Sequence, residues 1–589
     1  MRRPARPVKK PAHACASCRK CKTRCEILGA SASPVRCHRC KVLKVECSYE
    51  TTQVPVALDP SETPMSAGSA KDTPWKLWAF LASGKAIDWS APMLAIQSLV
   101  LPRAGSSVST DPASSDISLS GMLPEYRMDH LLDLFAEKYT PYLAFQPLKN
   151  SPNPLVDVVC SAVAARHLEG AAGTAVRLGL QTLAHQCVAQ MIFTAGAVAS
   201  VEAVQGLLVL SLWGPFGAEA PETQRWEPCT LIAEAVRMAM TLRLDRASAE
   251  VESIRGGALV GKLSEVTEHA RLWIALTNAE SMLCLGTGAA PSSRRSPNDY
   301  QLVKFPTAFN AQTPLGDVRL GLTCQHFSLF EQGIVIDMES SSEDEWVRNI
   351  RGVLGRMDRG ERLLTPLPII LDSERPFFRT LHIPHSTARL LLLYHALRAS
   401  KAQPWNQIIV PAGTRGESPR AIWARNLLQT SEHILLSALA LPAPHLSTAP
   451  DAFFSMLALA AGVLVGAKFL VRAHGQGLLG ASDLILAKLV KHMDAAKCGE
   501  GHAAERCALL MRSLVAKWEA RDGAAPQVRS APTPIQLVDS SKQPLAPVVS
   551  ERERSAGEPS VDLDFFFLNS MLSDDTAFWD SLAQDQLGW

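Results

Sequence analysis

Residues 15–47 have the sequence CASCRKCKTRCEILGASASPVRCHRCKVLKVEC, in which six of the seven cysteines repeat one spacing twice. The spacing CxxCx6C begins at Cys15 and, after an interval of eleven residues, begins again at Cys37. Two tetrahedral zinc ions offer eight ligand positions, which six thiolates can fill only if two of them bridge both ions. The repeat therefore predicts a small module with two structural zinc ions, whose ligands are Cys15, Cys18, Cys25, Cys37, Cys40 and Cys47.

Two other interpretations of the cysteines are open at this point. A disulfide framework is typical of small secreted chains, but the N-terminal MRRPARPVKKP lacks the apolar segment of a secretory signal. Alternatively, the two CxxC pairs could bind a single zinc ion. In that case the equal spacing of Cys25 and Cys47 from the CxxC pairs that precede them would be accidental. Cys21 lies outside the repeat, so we expect it to be a thiol rather than a metal ligand.

This stretch resembles the DNA-binding module of the fungal binuclear zinc cluster transcription factors. Their motif is CxxCRxxKxxC, then a loop with a proline, then CxxC and a last cysteine with an aromatic residue soon after it. The present chain has Arg19, Lys22, Pro34 and Tyr49 at those places. The resemblance implies a sequence-specific regulator of RNA polymerase II transcription that works in the nucleus.

The resemblance also implies a role for each residue of the motif. Cys15 and Cys37 bridge the two zinc ions. The ligands of one ion are completed by Cys18 and Cys25, and those of the other by Cys40 and Cys47. A short helix from Cys18 lies in the major groove, where Lys22 contacts bases and the phosphates are contacted by Arg19, Lys20, Arg24, Lys41 and Lys44. Members of that family commonly read CGG triplets, so the resemblance implies a CGG-like triplet in double-stranded DNA as the target. A G-rich triplet suits Lys22, because lysine and arginine recognise O6 and N7 of guanine.

The charge of the chain is unevenly distributed. Residues 1–50 have thirteen Lys and Arg against three Glu, a net charge of +10, whereas the rest has 46 Lys and Arg against 54 Asp and Glu, a net charge of −8. Six zinc-bound thiolates lower the N-terminal charge, but the module stays basic. Such a basic module suits contact with phosphates.

Composition and periodicity predict a mainly α chain with a large all-α multi-helical domain, which the resemblance implies is a regulatory domain. Pro, Ser and Thr-rich stretches without periodicity mark the connections, which we expect to be flexible. The predicted parts are a basic arm at 1–14, the zinc cluster at 15–47, a linker at 48–123, the helical domain at 124–522, a disordered linker at 523–560 and an acidic, aromatic segment at 561–589.

Apolar residues at helical spacing predict where the helices of that domain lie. Ser200 stands where a helix N-cap is expected, and the helix that follows has so little polar face that it should be central. The uncharged residues 452–467 are too few to span a bilayer and predict a buried helix. The predicted helices are 128–139, 154–168, 174–195, 201–213, 227–244, 264–285, 323–338, 345–362, 386–402, 419–440, 451–473, 480–496 and 502–520.

Four segments, at 130–148, 200–214, 231–246 and, more loosely, 271–288, resemble the helical middle region of the same fungal regulators. This resemblance covers roughly residues 125–300 and is weaker than that of the cysteine stretch. The family often has an Asp-Arg pair in the fourth similar segment, where this chain has Glu280 and Ser281. That region is often a sensing domain, so the resemblance makes a small-molecule effector an alternative role for the helical part. Without GxSxG, HExxH or a phosphate-binding loop, the sequence predicts no enzyme.

Residues 561–589 contain six Asp and no Lys, Arg or Glu among many apolar side chains. This composition is typical of disordered activation segments that fold on a coactivator, and it favours an activator over a repressor. The residues expected to contact the coactivator are Phe566, Phe567, Phe578 and Trp579. A terminal helix docked on the core is the alternative.

No heptad run follows Cys47, so dimerisation stays open.

Overall fold

The computed structural model describes residues 20, 40 and 43, and then 91–100, 125–143, 145, 155–193, 199–214, 227–258, 262–302, 315–336, 342–362, 364, 374–401, 419–473, 481–499 and 501–524. The chain divides into two compact units, Met1–Lys71 and Asp72–Trp589. Within the described residues helices dominate and no strand occurs, which confirms the prediction of a mainly α chain.

The described helices of the second unit are numbered in chain order. The first ten are α1 Pro92–Val100, α2 Glu125–Lys138, α3 Thr140–Leu143, α4 Leu155–Ala164, α5 Gly170–Phe193, α6 Val201–Leu212, α7 Pro228–Thr241, α8 Ala247–Arg255, α9 Leu263–Cys284 and α10 Pro297–Leu302. The others are α11 Leu315–Ile334, α12 Glu343–Arg362, α13 Arg375–Thr380, α14 His382–Lys401, α15 Pro419–Leu439, α16 Ala443–Ser447, α17 Asp451–Ala473, α18 Ala481–Ala495 and α19 Ala503–Ala524.

Consecutive helices pack as pairs, and the pairs pack on one another. The pairs are α4 with α5, α6 with α7, α8 with α9, α11 with α12, α14 with α15, and α18 with α19. Contacts of α9 with α11, of α11 with α14, of α15 with α17 and of α17 with α19 join these pairs. A single large core cluster runs through them from Met93 to Leu514.

The local signals for α6 are confirmed. The Ser200 hydroxyl accepts a hydrogen bond from the Ala203 N–H at 3.1 Å, which satisfies one of the donors left without a partner at a helix start. Val204 and Leu207 are fully buried, as expected for a central helix. The element therefore follows directly from its cap and its apolar faces.

Helix α1 lies inside the range 48–123 that the sequence predicts to be a linker. It starts with Pro92, which is favourable at the first helical position, and buries Met93, Ile96 and Leu99. These side chains pack in the main core, where α1 contacts α17 and α19. Nine residues between Pro- and Ser-rich stretches give too short a pattern to stand out in the sequence, but burial of one apolar face stabilises the helix.

Helix α17 contains the uncharged residues 452–467, and its side chains from Phe453 to Leu464 are largely buried. The prediction of a buried helix is thus confirmed. Among the described helices, none combines the length and the apolar character that a membrane crossing requires.

Six described helices were not predicted: α1, α3, α8, α10, α13 and α16. Helix α2 ends at Lys138, one residue before the predicted end at 139, and Pro141 lies within the next helix, α3, which begins at Thr140. Proline is tolerated there because the first turn of a helix needs no donor from it.

Candidate functional site

Two of the residues assigned to zinc and DNA lie in the described part of the chain. Lys20 is helical and exposed, and Cys40 is helical and fully buried. An exposed lysine side chain such as that of Lys20 can reach a phosphate. The sulfur of a metal-bound cysteine, which is the predicted role of Cys40, is expected to be shielded from water. The other predicted ligands, DNA contacts and the four aromatic residues of the tail lie outside the described residues, so their roles stay predictions.

The helical unit contains an apolar cavity of about 100 Å³. Residues of α3, α6, α9, α11, α13, α14 and α17 line it, among them Leu208, Leu212, Met282, Phe327, Phe377 and Phe453. A cavity with this lining favours an apolar ligand, since it offers few places for water to form hydrogen bonds.

The charged group at the cavity wall is Arg319 of α11. Its Nη2 donates a hydrogen bond to the Pro141 carbonyl at 2.7 Å, and its Nη1 pairs with Glu374. The guanidinium also lies 5.5 Å from the ring centroid of Phe377, within cation–π range. Glu374 neutralises this charge, so Arg319 fixes the wall of the cavity instead of presenting an unpaired cation to a ligand.

The other polar groups of the wall also have partners within the protein. Asn278 donates to the Leu320 carbonyl at 3.1 Å, and the Tyr142 hydroxyl donates to the His445 carbonyl at 2.6 Å. Burial raises the pKa of Tyr142 to about 12, so its hydroxyl stays protonated near neutral pH. A ligand of this cavity would therefore be recognised by its shape and apolar surface.

Beside the cavity, α9 carries Glu280 and Ser281, next to the lining residues Ala279 and Met282. The Glu280 carboxylate accepts hydrogen bonds from the backbone N–H groups of Ser292 and Ser293 at 2.8 and 2.9 Å, and from both hydroxyls. Ser281 bonds to Arg295, which forms an ion pair with Glu331 at 2.8 Å. This network fastens the segment after α9 to the core and gives Glu280 a structural role.

The segment after α9 turns through two glycines with positive φ, Gly286 at 63° and Gly288 at 80°. The Gly286 carbonyl accepts a hydrogen bond from the Met93 N–H at 3.0 Å. A Cβ at Gly286 would lie 3.0 Å from the Leu391 side chain and 3.3 Å from the Met93 Cβ. Glycine is needed here both for the backbone conformation and for the close approach of α1.

Cys498, His167 and Tyr139 form a group that resembles a nucleophile with its base. The Cys498 sulfur lies 3.6 Å from His167 Nδ1, and His167 Nε2 lies 3.0 Å from the Tyr139 hydroxyl. Burial raises the pKa of Cys498 and lowers the pKa of His167 to about 4. Both side chains are therefore neutral at pH 7, whereas a reactive cysteine needs the thiolate.

A second cluster joins Glu361 of α12, His382 of α14 and His433 of α15. One ligand-type atom of each residue lies within 4.8 Å of the corresponding atoms of the other two. Sequence reasoning did not single out these residues, nor those of the cavity. The three positions are separated by 21 and 51 residues in the chain, so no spacing motif could connect them.

No family model matches the chain, and the comparison with curated proteins finds no match. The function must therefore be argued from the chemistry of the residues themselves.

Proposed function

We propose that the protein is a nuclear, sequence-specific DNA-binding regulator of RNA polymerase II transcription, and that it acts as an activator. The observation that supports the proposal most is the repeated CxxCx6C spacing in a segment of net charge +10. The large helical unit is the part of the chain to which the proposal assigns regulation.

In this proposal, two zinc ions are structural. The thiolates of Cys15 and Cys37 bridge them, and each CxxC positions two sulfurs for one ion. A module this small cannot bury enough apolar surface to fold alone, so metal binding supplies the folding free energy. The helix that follows Cys18 then presents its basic side chains to the major groove.

Base contacts and phosphate contacts make separable contributions. Lys22 is assigned to guanine O6 and N7, which specify sequence, whereas Lys44 is assigned to phosphates, which add affinity without specificity. We expect Lys22→Ala to lower affinity for the preferred triplet by about 1–3 kcal/mol and to relax the sequence preference. Lys44→Ala should weaken binding to all sequences alike and reduce the salt dependence.

The test is a binding titration of the full-length protein on a randomised DNA library and on its selected site, over a range of salt concentrations. Chelation of zinc should abolish specific binding, and Cys21→Ser serves as a matched cysteine control that should retain it. If Lys22→Ala loses equal affinity for selected and random DNA, Lys22 contacts phosphate only and the assignment fails.

The tail supports the activator part of the proposal. Aromatic side chains would occupy a groove of a transcriptional coactivator, while the aspartates keep those side chains in water before binding. Residues 561–589 joined to an unrelated DNA-binding domain should activate a reporter. Replacement of four aromatic residues by alanine should abolish that activity: Phe566, Phe567, Phe578 and Trp579. A silent fusion that is stably expressed would instead support a helix docked on the core.

The cavity beside Arg319 favours a second function, ligand sensing by the helical unit. Its volume of about 100 Å³ admits a compact apolar ligand of a few heavy atoms. Small apolar compounds that bind there should raise the melting temperature of the full-length protein. Ala279→Leu fills the cavity and should remove that shift, whereas Ala172→Leu on the exposed face of α5 should preserve it. An undiminished shift in Ala279→Leu would rule out this site.

A further inference from the structure

Three helices bring metal-ligand side chains together on the helical unit. Glu361 lies at the end of α12, His382 is the first residue of α14, and His433 lies in the middle of α15. Packing of α14 against both α12 and α15 holds the three side chains together. Their side chains are 21, 15 and 48% exposed, respectively, so the cluster is half-buried with its accessible side at His433.

The distances match the spacing of ligands around a tetrahedral ion. Glu361 Oε1 lies 3.2 Å from His433 Nε2 and 3.7 Å from His382 Nδ1. Zinc bonds to nitrogen and oxygen of about 2.0–2.1 Å place neighbouring tetrahedral ligands about 3.3 Å apart. A shift of a few tenths of an ångström would thus admit an ion between the three atoms.

Three neighbours surround one carboxylate oxygen of Glu361. The Ser386 hydroxyl donates a hydrogen bond to Oε1 at 2.7 Å, and ring nitrogens of His433 and His382 lie 3.2 and 3.7 Å from the same oxygen. In the described part of the chain, the ion-pair partners of Glu361 are these two imidazoles, not a lysine or an arginine. A divalent cation could therefore bind without displacing a permanent positive charge.

His382 Nδ1 gives an independent indication of a ligand. This nitrogen is buried and has no hydrogen-bond partner among the described residues, although it lies 3.7 Å from Oε1 of Glu361. Buried polar atoms are normally satisfied, and an exception calls for an explanation, one of which is that the atom serves as a ligand for an ion. A metal bound to the lone pair of Nδ1 would satisfy it.

We propose that Glu361, His382 and His433 bind one divalent transition-metal ion, with Zn²⁺ as the reference ion. Two imidazoles and a carboxylate suit borderline ions such as Zn²⁺, Co²⁺ and Ni²⁺, whereas Mg²⁺ and Ca²⁺ prefer oxygen ligands. Three protein ligands leave a fourth position on the exposed side of His433 for water or an exogenous ligand. Ser386 is a positioning residue that orients the carboxylate.

The test measures metal binding by the full-length protein with Zn²⁺ in competition with a chromophoric chelator. Wild-type protein should bind one equivalent of Zn²⁺ more than His433→Gln, because this exposed substitution removes one ligand. The difference is expected whether or not the six-cysteine cluster also holds zinc. His130→Gln, an exposed histidine on α2, is the matched control and should bind like wild type.

Co²⁺ distinguishes this site from any cysteine site. The Glu361 site should give visible d–d absorption without the near-ultraviolet bands of a thiolate ligand, and His433→Gln and Glu361→Gln should lose that component. Ser386→Ala should keep it with an affinity about tenfold lower. Equal Zn²⁺ content in wild type and His433→Gln, together with no thiolate-free Co²⁺ component, would show that the cluster is only a hydrogen-bonded group and would overturn the proposal.

Discussion

The imidazole of His502 lies at the start of α19, where its Nδ1 accepts a hydrogen bond from the Ala504 N–H at 3.3 Å. Only the neutral ring has a lone pair at Nδ1 for this bond. Protonation would remove the acceptor and place a positive charge at a helix N-terminus, where the helix dipole opposes it. His502 therefore caps the helix only while it is uncharged.

The surroundings of His502 keep the ring neutral. Burial has the largest effect on the pKa of His502, and the charge of Arg166 has the next largest. Both lower this pKa, as do Arg506 and His167, whereas Asp451 raises it. The result is a pKa of about 3. In the unfolded chain the pKa is about 6.5. Because the unfolded state binds the proton first, stability is complete above pH 6.5 and decreases as the pH falls toward 3.

His502→Asn should remove part of this pH dependence. Asparagine can still accept the Ala504 N–H as a cap but does not titrate. Between pH 7 and pH 5, we expect the variant to lose about 2 kcal/mol less of its free energy of unfolding than wild type. Urea unfolding at the two pH values measures the difference. His326 and His395, whose pKa values burial lowers to about 4, contribute equally in both proteins. Identical losses would contradict the cap.

At the level of elements, α1 adds an apolar face to the core of the helical unit. Ile96 is 1% exposed and lies in the main core. Ile96→Ala should lower the free energy of unfolding by about 3 kcal/mol, because it removes buried methyl groups and leaves a cavity. Gln97→Ala on the half-buried side of the same helix is the control and should change it little. Thermal unfolding of both variants measures the effect, and equal stabilities would mean that α1 is not part of the folded unit.

The comparison of α6 with α1 shows what sequence could and could not predict. Ser200 and the apolar residues after it are local signals, so the start of α6 and its central place could be inferred. The nine residues of α1 are stabilised by helices more than 350 residues later, and no local pattern contains that information. The same holds for Glu361, His382 and His433, whose proximity depends on how three helices pack.

At the scale of the molecule, a buried ion pair joins the first and last thirds of the helical unit. Arg166 bonds to Asp451 at 2.9 and 2.8 Å through two nitrogens and donates to the Gly214 carbonyl at 2.6 Å. The two side chains are 9 and 15% exposed. Such a pair adds little net stability but becomes costly when one partner is removed, because the other charge stays buried.

Asp451→Asn should therefore destabilise the protein by about 3 kcal/mol. The matched control is Glu252→Gln, which breaks the exposed pair with Arg255 at 3.1 Å and should cost less than about 1 kcal/mol. Chemical unfolding of both variants at pH 7 gives the two values. The double variant Arg166→Met, Asp451→Asn should recover part of the free energy of unfolding that Asp451→Asn loses. If the second substitution lowers this free energy again by the same amount, the unpaired buried charge is not the cause of the loss.

The contact of α1 with α17 and α19 also affects how the protein is made. A ribosome adds about 5–20 residues per second, so roughly 20–70 s separate the synthesis of Ile96 from that of Phe453. During this interval the apolar face of α1 lacks the helices that cover it. The nascent chain must keep this face from aggregation, and a premature stop before α17 should yield a product that chaperones retain and proteases remove.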